Sequence, residues 1–392
     1  MHVVHIIPSL HVGGAEMALL RLIGNNAADQ AHAGQGAARI RHTVISMTPL
    51  GSLGCDFAAA GIPVVWLDFS KRPVRAFINL CLWLRRHRPD VVSTWMYHAD
   101  VAGGLAAQMC GIGAVVWGVR TTPVGGVLPR LRLRALCRFS AWLSWRVPSA
   151  IVCVAEAARL SHTAFGYRPD RMHVIANGFD IEALEPTRID ATAARTLHGF
   201  DPAHIVVGHV GRFCNEKDHV GFLKAARLAL NEEPLLRFVM AGRGVSLSNA
   251  VLAHEVDQLG LHGFVCLLGE RSDVTNVMRS FDLFCLSSTF EGFPNVLGEA
   301  MGLALTCVST DAGDARVLAG DTADIVPISD PPALAKALLA WARLTPTQRA
   351  ERGAAARQRI ADHYTVDVMR RRFEAVYRSV LRPRSQPVLT TS

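Results

Sequence analysis

Two successive series of apolar, β-rich runs, each alternating with longer amphipathic segments, constrain what this chain can fold into more than any other feature. The first series falls at residues 3–8, 43–47, 64–67, 91–95, 114–118 and 150–154, the second at 205–210, 237–241, 265–268, 283–286, 306–309 and 325–326. Short Val- and Ile-rich runs bounded by turn residues read as strands, and strands fed by crossover helices pair in parallel. Two such series predict an α/β chain of two doubly wound, Rossmann-like parallel-sheet domains. A length of 392 residues supplies a core for each. The break is expected between residues 185 and 204, where Glu-Pro-Thr and Gly-Phe-Asp-Pro punctuate a segment without a strand pattern, giving domains at 1–188 and 200–365. Residues 28–39 read as a surface loop, 366–381 as one amphipathic helix and 382–392 as a flexible tail.

Half of the residues are apolar and 19% are charged, which excludes a disordered chain. The nine cysteines form an odd set with no C-x-x-C pair, and most sit in apolar runs. They read as buried thiols of a reducing compartment, not as a disulfide frame or a zinc site. The opening Met1-His2-Val3-Val4-His5-Ile6-Ile7 has neither the basic start nor the long apolar stretch of a secretion signal, which predicts a cytoplasmic protein. Glycines 103, 104, 111, 113 and 118 interrupt the uncharged stretch 101–119, the one that approaches a membrane span in length.

The formal net charge of +8 is unevenly spread. Residues 1–190 hold 19 Lys and Arg against 12 Asp and Glu, whereas residues 191–392 are nearly balanced at 22 against 21. Residues 71–146 carry twelve basic side chains and only Asp90 and Asp100 as acids. Within them, residues 128–146 interleave Arg130, Arg132, Arg134, Arg138 and Arg146 with Leu, Phe and Trp. That is the pattern of a helix lying on anionic membrane, and equally of a helix packing its apolar side inward while its arginines reach for water. No nucleic-acid module accompanies the charge, so nucleic acid is not an expected partner. The expected location is the cytoplasm or the inner face of the cytoplasmic membrane.

Ligands of parallel sheets gather at the carboxyl ends of the strands, so the polar residues directly after each run are the candidates. After 283–286 comes Ser-Ser-Thr-Phe-Glu291-Gly-Phe-Pro-Asn295-Val-Leu-Gly-Glu299. Glu291 falls on the loop, Asn295 is placed to cap the next helix, and Glu299 projects from that helix's first turn. Carboxylates beside free helix N–H groups suit a phosphate flanked by hydroxyl donors, as a nucleotide sugar presents. The run at 205–210 leads into Gly211-Arg212-Phe-Cys-Asn-Glu-Lys217, two cations able to hold a diphosphate and to stabilise it as it leaves. Position alone equally allows a surface pair at a helix N-terminus. Gly13-Gly14-Ala15-Glu16 follows the first run and lets the backbone approach a ligand, whereas Gly242-Arg243-Gly244 is only part of a dinucleotide fingerprint.

At these residues the chain resembles the retaining glycosyltransferases of the GT-B fold, specifically family 4, the group of many bacterial polysaccharide and lipopolysaccharide enzymes. The resemblance runs through Gly13-Gly14-Ala15-Glu16, Trp95-Met-Tyr-His98-Ala-Asp100, Asn177-Gly-Phe-Asp180, Gly211-Arg212 to Lys217, and Glu291-Gly-Phe-Pro-Asn-Val-Leu-Gly-Glu299. It implies an N-terminal acceptor domain and a C-terminal donor domain facing across a cleft, with the last helix crossing back onto the first domain.

The resemblance also implies roles. Arg212 and Lys217 would grip the donor diphosphate, Gly13 and Gly14 would line the same site, Glu291 would hold donor-sugar hydroxyls and Glu299 the ribose. Asn295 would line the donor site, and Arg271 matches the loop that meets the base. His98 would position or polarise the reacting groups, its alternative being a cap or a carbonyl bond in its own helix. Arg120 is an acceptor-side catalytic candidate or an ion-pair residue, and Glu156 matches a Ser-Glu element in which Ala155 replaces Ser. No metal and no cofactor is implied, and no Asp-x-Asp is present. The implied partners are a UDP- or GDP-sugar and a glycan acceptor; the basic first half adds the expectation of an undecaprenyl diphosphate carrier and of contact with anionic membrane.

The chain departs from the family's usual pattern in places. Where relatives often read Glu-Ala-Met-Ala-Cys-Gly-x-Pro, it has Glu299-Ala-Met-Gly-Leu-Ala-Leu-Thr306, and Ala176 stands in place of the usual Pro before Asn177. Two other readings fit the same architecture: a nucleotide-sugar epimerase, which needs no acceptor, and a non-catalytic nucleotide-binding partner in a glycan-assembly complex.

Overall fold

A computed structural model describes residues 1–24, 40–122, 131–185 and 199–381, with backbone alone at 131–133. The expected loop at 28–39, the tail at 382–392, Arg130 and the Arg132 side chain lie outside the described residues. The chain divides into two units, Met1–Gly178 with Val366–Ser392, and Phe179–Thr365.

The first unit holds seven parallel strands: β1 (His2–Ile7), β2 (Arg41–Ser46), β3 (Val64–Trp66), β4 (Val91–Trp95), β5 (Val115–Val119), β6 (Ala150–Cys153) and β7 (Met172–Val174). Their order is β3-β2-β1-β4-β5-β6-β7. Strands β1, β4, β5 and β6 are buried at every residue, as strands covered on both faces must be. The described helices are α1 (Gly14–Ile23), α2 (Gly54–Ala59), α3 (Pro73–His87), α4 (Met96–Met109), α5 (Leu131–Ser144), α6 (Glu156–Ala164) and a C-terminal helix, Val366–Leu381.

Right-handed crossovers put α1 and α2 on one face of this sheet and α3 to α6 on the other, because the chain reverses its direction of travel after β3. On the first face Leu19, Leu22, Ile23 and Phe57 share a core with Met369, Phe373, Val376 and Tyr377 of the C-terminal helix. On the second, α4 is packed between α3 and α5.

The second unit repeats the plan with β8 (Ile205–Val210), β9 (Leu236–Ala241), β10 (Val265–Leu267), β11 (Leu283–Leu286), β12 (Thr306–Thr310) and β13 (Ala323–Val326). They pair in parallel in the order β10-β9-β8-β11-β12-β13, which is the order of the first six strands of the other sheet. Its described helices are α7 (His219–Glu232), α8 (Ala250–Gln258), α9 (Val274–Met278), α10 (Asn295–Gly302), α11 (Ala315–Ala319), α12 (Pro331–Ala342) and α13 (Pro346–His363). Sequence sets these helix starts: Asp330 caps Ala333 ahead of Pro331, and Thr345 with Gln348 forms a capping box around Pro346.

Both expected doubly wound sheets are present, and all twelve expected runs are strands. The thirteenth, β7, has only three residues and no fully buried one, so it leaves no periodic signal. The first unit ends at Gly178, earlier than the expected 188. The reason is local bonding: Phe179 donates to the Tyr364 carbonyl at 2.8 Å and bridges to Thr365, while Arg357 donates to the Ile181 and Leu184 carbonyls. Asn295 does not cap α10 as expected. It is the first helical residue, and Pro294 holds the cap position without a side-chain bond.

The loop that departs from its relatives keeps its turn. The Leu305 N–H bonds the Ala300 carbonyl at 3.1 Å and the Ala304 N–H the Met301 carbonyl at 3.0 Å, a Schellman ending in which Ala304 takes φ +58°. Of the nine thiols, only Cys137, Cys153, Cys285 and Cys307 are buried. Cys55, on the short helix α2, is exposed, so the expectation of buried thiols holds only in part. Among the described residues no helix is long and apolar enough to cross a membrane.

Candidate functional site

Each sheet reverses its strand order at one point, β1 against β4 and β8 against β11, and in open α/β sheets the carboxyl ends flanking that point form the ligand crevice. Gly13, Gly14 and His98 follow β1 and β4, and Arg212, Lys217 and Glu291 follow β8 and β11.

In the second unit, β8 runs out through Gly211 and Arg212 into a 3-10 turn, Asn215–Lys217. Lys217 Nζ stands 2.5 Å from Glu291 Oε1, and Ser288 Oγ donates to the same oxygen at 2.7 Å. The two charged side chains retain only 18% and 12% of their exposure. Partial burial strengthens their attraction over that of a surface pair. Arg212 is exposed and makes no side-chain hydrogen bond to a described residue. Glu299 and Asn295 lie half-buried on α10, Glu299 one turn beyond Asn295. Arg271 follows β10 at the same edge of the sheet, exposed and held by both oxygens of Asp273 at 2.9 Å.

Several groups that sequence reasoning missed hold this constellation together. Ser287 Oγ donates to the Lys217 and Asp218 carbonyls at 2.9 and 3.2 Å, so the buried His209 Nε2 donates to Ser287, at 3.1 Å. Burial holds the His209 ring well below the usual imidazole range, and burial lowers neighbouring His219 to about 4, so both stay neutral beside Lys217. Asp218 takes φ +46° and caps α7 through Gly221 N at 2.9 Å. Thr310 Oγ1 donates to the Ser288 carbonyl at 2.5 Å, and Asp314 N to the Gly292 carbonyl at 3.1 Å. Gly313, at φ +58°, passes so close that a Cβ there would stand 2.5 Å from the Glu291 and Gly292 carbonyl oxygens. Apart from the local Asp218 cap, none of these contacts has a spacing that a linear sequence displays, because each joins segments in or after different strands.

In the first unit, Gly13 caps α1 in an extended conformation, and the Glu16 carboxylate folds back over it with support from Ser9 Oγ at 3.3 Å. A Cβ on Gly13 would stand 2.5 Å from Glu16 Oε2. Burial raises the Glu16 pKa. Beyond β4, Met96 takes φ +70°, which starts α4 abruptly and leaves His98 exposed in its first turn. Tyr97 turns inward to His162 at 2.8 Å, and Thr94 Oγ1 donates to the fully buried Asp100 at 2.6 Å. Burial pushes the Asp100 carboxyl up to about 8.

Arg120, after β5, points into the unit. Its guanidinium lies 4.7 Å from the Trp95 ring centre and 6.0 Å from that of Phe373, and Nη2 donates to Asn177 Oδ1. Its Nε and Nη1 are covered and have no hydrogen-bond partner among the described residues, and burial lowers its pKa to about 10. Glu156 pairs with Arg159 one turn along α6. The structure thus gathers Lys217, Glu291 and Ser288 into direct contact, places Arg212, Arg271 and Glu299 at the same sheet edge, and sets Arg120 apart beneath Trp95. Among the described residues no group of three or more His, Cys, Asp or Glu side chains is arranged to hold a metal ion.

Two family models match, described as "Glycosyltransferase Family 4" over residues 28–183 and "Glycosyl transferases group 1" over residues 204–343. The chain is 24% identical, over 60% of its length, to the UDP-Gal:alpha-D-GlcNAc-diphosphoundecaprenol alpha-1,3-galactosyltransferase of Escherichia coli, covering 62% of that protein. It is 28% identical, over 62% of its length, to the lipopolysaccharide core biosynthesis mannosyltransferase LpsB of Rhizobium meliloti, covering 70% of it. The chain matches between 19% and 70% of the length of these and six further curated relatives. Its fold is that of Anabaena HepE, solved in complex with UDP, at a TM-score of 0.83 and 20% identity over 97% of this chain and all of the other.

Proposed function

The chain belongs to glycosyltransferase family 4 and has a GT-B fold, and we propose that it transfers a sugar from a nucleotide-diphosphate sugar to a growing glycan with retention of anomeric configuration. The observation that carries this reading is the Lys217–Glu291 pair beside Arg212, set at the switch point of the second sheet. A diphosphate entering there draws Lys217 and Arg212 onto its oxygens and releases Glu291, whose carboxylate then accepts hydrogen bonds from the donor-sugar hydroxyls. As the sugar–phosphate bond breaks, charge grows on the leaving oxygen, and the two cations meet it where it develops. The departing phosphate takes the acceptor's proton on the face it leaves, which accounts for retention without a protein nucleophile.

Glu299 and Asn295 complete the donor site on α10, Arg271 borders the base, Gly13 and Gly14 meet the diphosphate through their backbone, and His98 orients the reacting groups. Arg120 serves as a positioning residue, holding Asn177 and Trp95 behind the acceptor side. A UDP-sugar donor is supported by the printed activity of the Escherichia coli relative and by the UDP complex of HepE, with a GDP-sugar as its alternative. The diphosphoundecaprenol in the same relative's name, with the basic first half of this chain, supports a lipid-linked acceptor met at the inner face of the cytoplasmic membrane, for polysaccharide or lipopolysaccharide assembly.

Thermal unfolding with UDP, GDP and their sugars, followed by transfer assays on an undecaprenyl-diphosphate-linked sugar, tests this reading. A ligand that binds the folded form raises its melting temperature. Stabilisation by one nucleotide, acceptor-dependent release of it, and an α-linked product from an α-linked donor are expected. Stabilisation by neither nucleotide, or isomerisation of a donor without acceptor, would overturn it.

A further inference from the structure

The structure assigns a bilayer-docking surface to the outer faces of α3 and α5, which flank α4 on one face of the first sheet. Sequence alone drew attention to the segment of α5; α3 joins it only through the fold. On α3, Ala76, Leu80 and Leu84 are buried, and Val74, Ile78 and Leu82 point the opposite way, exposed by 73, 52 and 58%. At 3.6 residues per turn these three share an arc of about 120° with Arg75, Arg85 and Arg86. On α5, Cys137, Ser140, Ala141 and Ser144 are buried, while Phe139 and Trp142 are exposed and stack at 5.8 Å between ring centres. Arg146 lies over the Trp142 ring at 4.4 Å, and Arg134 and Arg138 are exposed beside them.

Apolar side chains this exposed on two neighbouring helices cost free energy in water and mark an interaction face. Its charge selects the occupant. Neither α3 nor α5 contains an acid, the only acid of α4 is the buried Asp100, and Arg75, Arg86, Arg134 and Arg138 form no ion pair with a described residue. A face of aliphatic side chains, tryptophan and unpaired arginine, with no carboxylate, complements an anionic lipid surface: the apolar groups enter the acyl boundary, Trp occupies the interface and Arg meets the phosphates. The partner is therefore a bilayer bearing anionic headgroups. Its use in catalysis rests on the reading of the acceptor as lipid-linked.

Co-sedimentation with vesicles tests the surface, comparing equal parts phosphatidylglycerol and phosphatidylcholine with phosphatidylcholine alone. The full chain is expected to bind the anionic vesicles, and binding should fall as salt rises. The pairs Ile78→Ser with Leu82→Ser, and Phe139→Ser with Trp142→Ser, should each weaken binding by about tenfold or more. Leu247→Ser, equally exposed but on the second unit, should bind like wild type. Unchanged melting temperature and unchanged stabilisation by UDP show that the variants fold and keep the nucleotide site, so a failure of docking is separable from a failure of the proposed transfer. Equal binding to both vesicle types, wild-type binding by both pairs, or self-association of the chain that these pairs abolish without any vesicle binding would overturn the proposal.

Discussion

Lys217 Nζ and Glu291 Oε1 stand 2.5 Å apart at the ends of adjacent strands, so the cation proposed for the diphosphate and the carboxylate proposed for the sugar neutralise each other before a donor arrives. Removing either leaves the other half-buried and unpaired. Lys217→Ala is expected to slow turnover by roughly a hundredfold, the scale of losing one donor aimed at developing charge, and to abolish stabilisation by UDP. Glu291→Gln should slow turnover while keeping that stabilisation. The double variant should fall well short of the product of the two losses, because the groups act as a unit. Multiplying losses in steady-state kinetics would show that they work independently.

Gly313 and Gly260 take nearly the same left-handed backbone, φ +58° and +59°, yet only Gly313 abuts the Glu291 loop. Alanine at either position incurs a similar backbone penalty, about 1–2 kcal/mol. Gly313→Ala must also displace the Glu291 and Gly292 carbonyls, so its kcat/KM for the donor should fall by about tenfold or more, whereas Gly260→Ala should change the melting temperature alone. Equal kinetic effects would show that the loop does not set the position of Glu291.

Ala304 occupies the left-handed end of α10, a conformation that glycine adopts without a Cβ penalty. Ala304→Gly should therefore stabilise the second unit. The gain is about 0.5–1 kcal/mol, after allowing for the extra freedom glycine has in the unfolded chain. Denaturant unfolding, with the slope unchanged and the midpoint raised, checks this. A lowered midpoint would mean that the alanine methyl makes a compensating contact.

Asp100 gives stability a pH dependence of known sign. Its carboxyl titrates near 8 in the fold against 3.8 in a free chain, so between those values the fold holds a proton that the unfolded chain releases. Stability from this group is complete below about pH 4 and is lost as pH rises towards 8, by at most about 1.4 kcal/mol per unit. Asp100→Asn should flatten that limb, whatever its effect on absolute stability, when melting temperatures are compared from pH 5 to 8. An unchanged slope would show that Asp100 is ionised in the fold.

The sheets were legible because Val/Ile runs such as Val91–Trp95 carry their burial on every residue, and β7 was not because none of its three residues is fully buried. Lys217 and Glu291 were legible as residues after strands. Their mutual ion pair was not, since the sequence shows two charges 74 positions apart and no register between them. Arg120 shows the converse: its position after β5 marks it as a ligand candidate, but rotamer and neighbours turn it under Trp95, and neither is encoded locally. The bracing by His209, Ser287, Thr310 and Gly313 left no trace because each acts on a distant segment, His209 on the Ser287 hydroxyl and the others on backbone carbonyls.

Met369, Phe373, Val376 and Tyr377 complete a core whose other members lie before Gly178. The ribosome makes them only after the whole of the second unit. The second unit, continuous from Phe179 to Thr365, can finish folding while the first still waits for its closing helix, so the usual N-to-C order of maturation is inverted. Until that helix emerges the Trp95 face of the nascent sheet stays uncovered, and a nonsense codon anywhere before Val366 damages the first unit although its strands are already made.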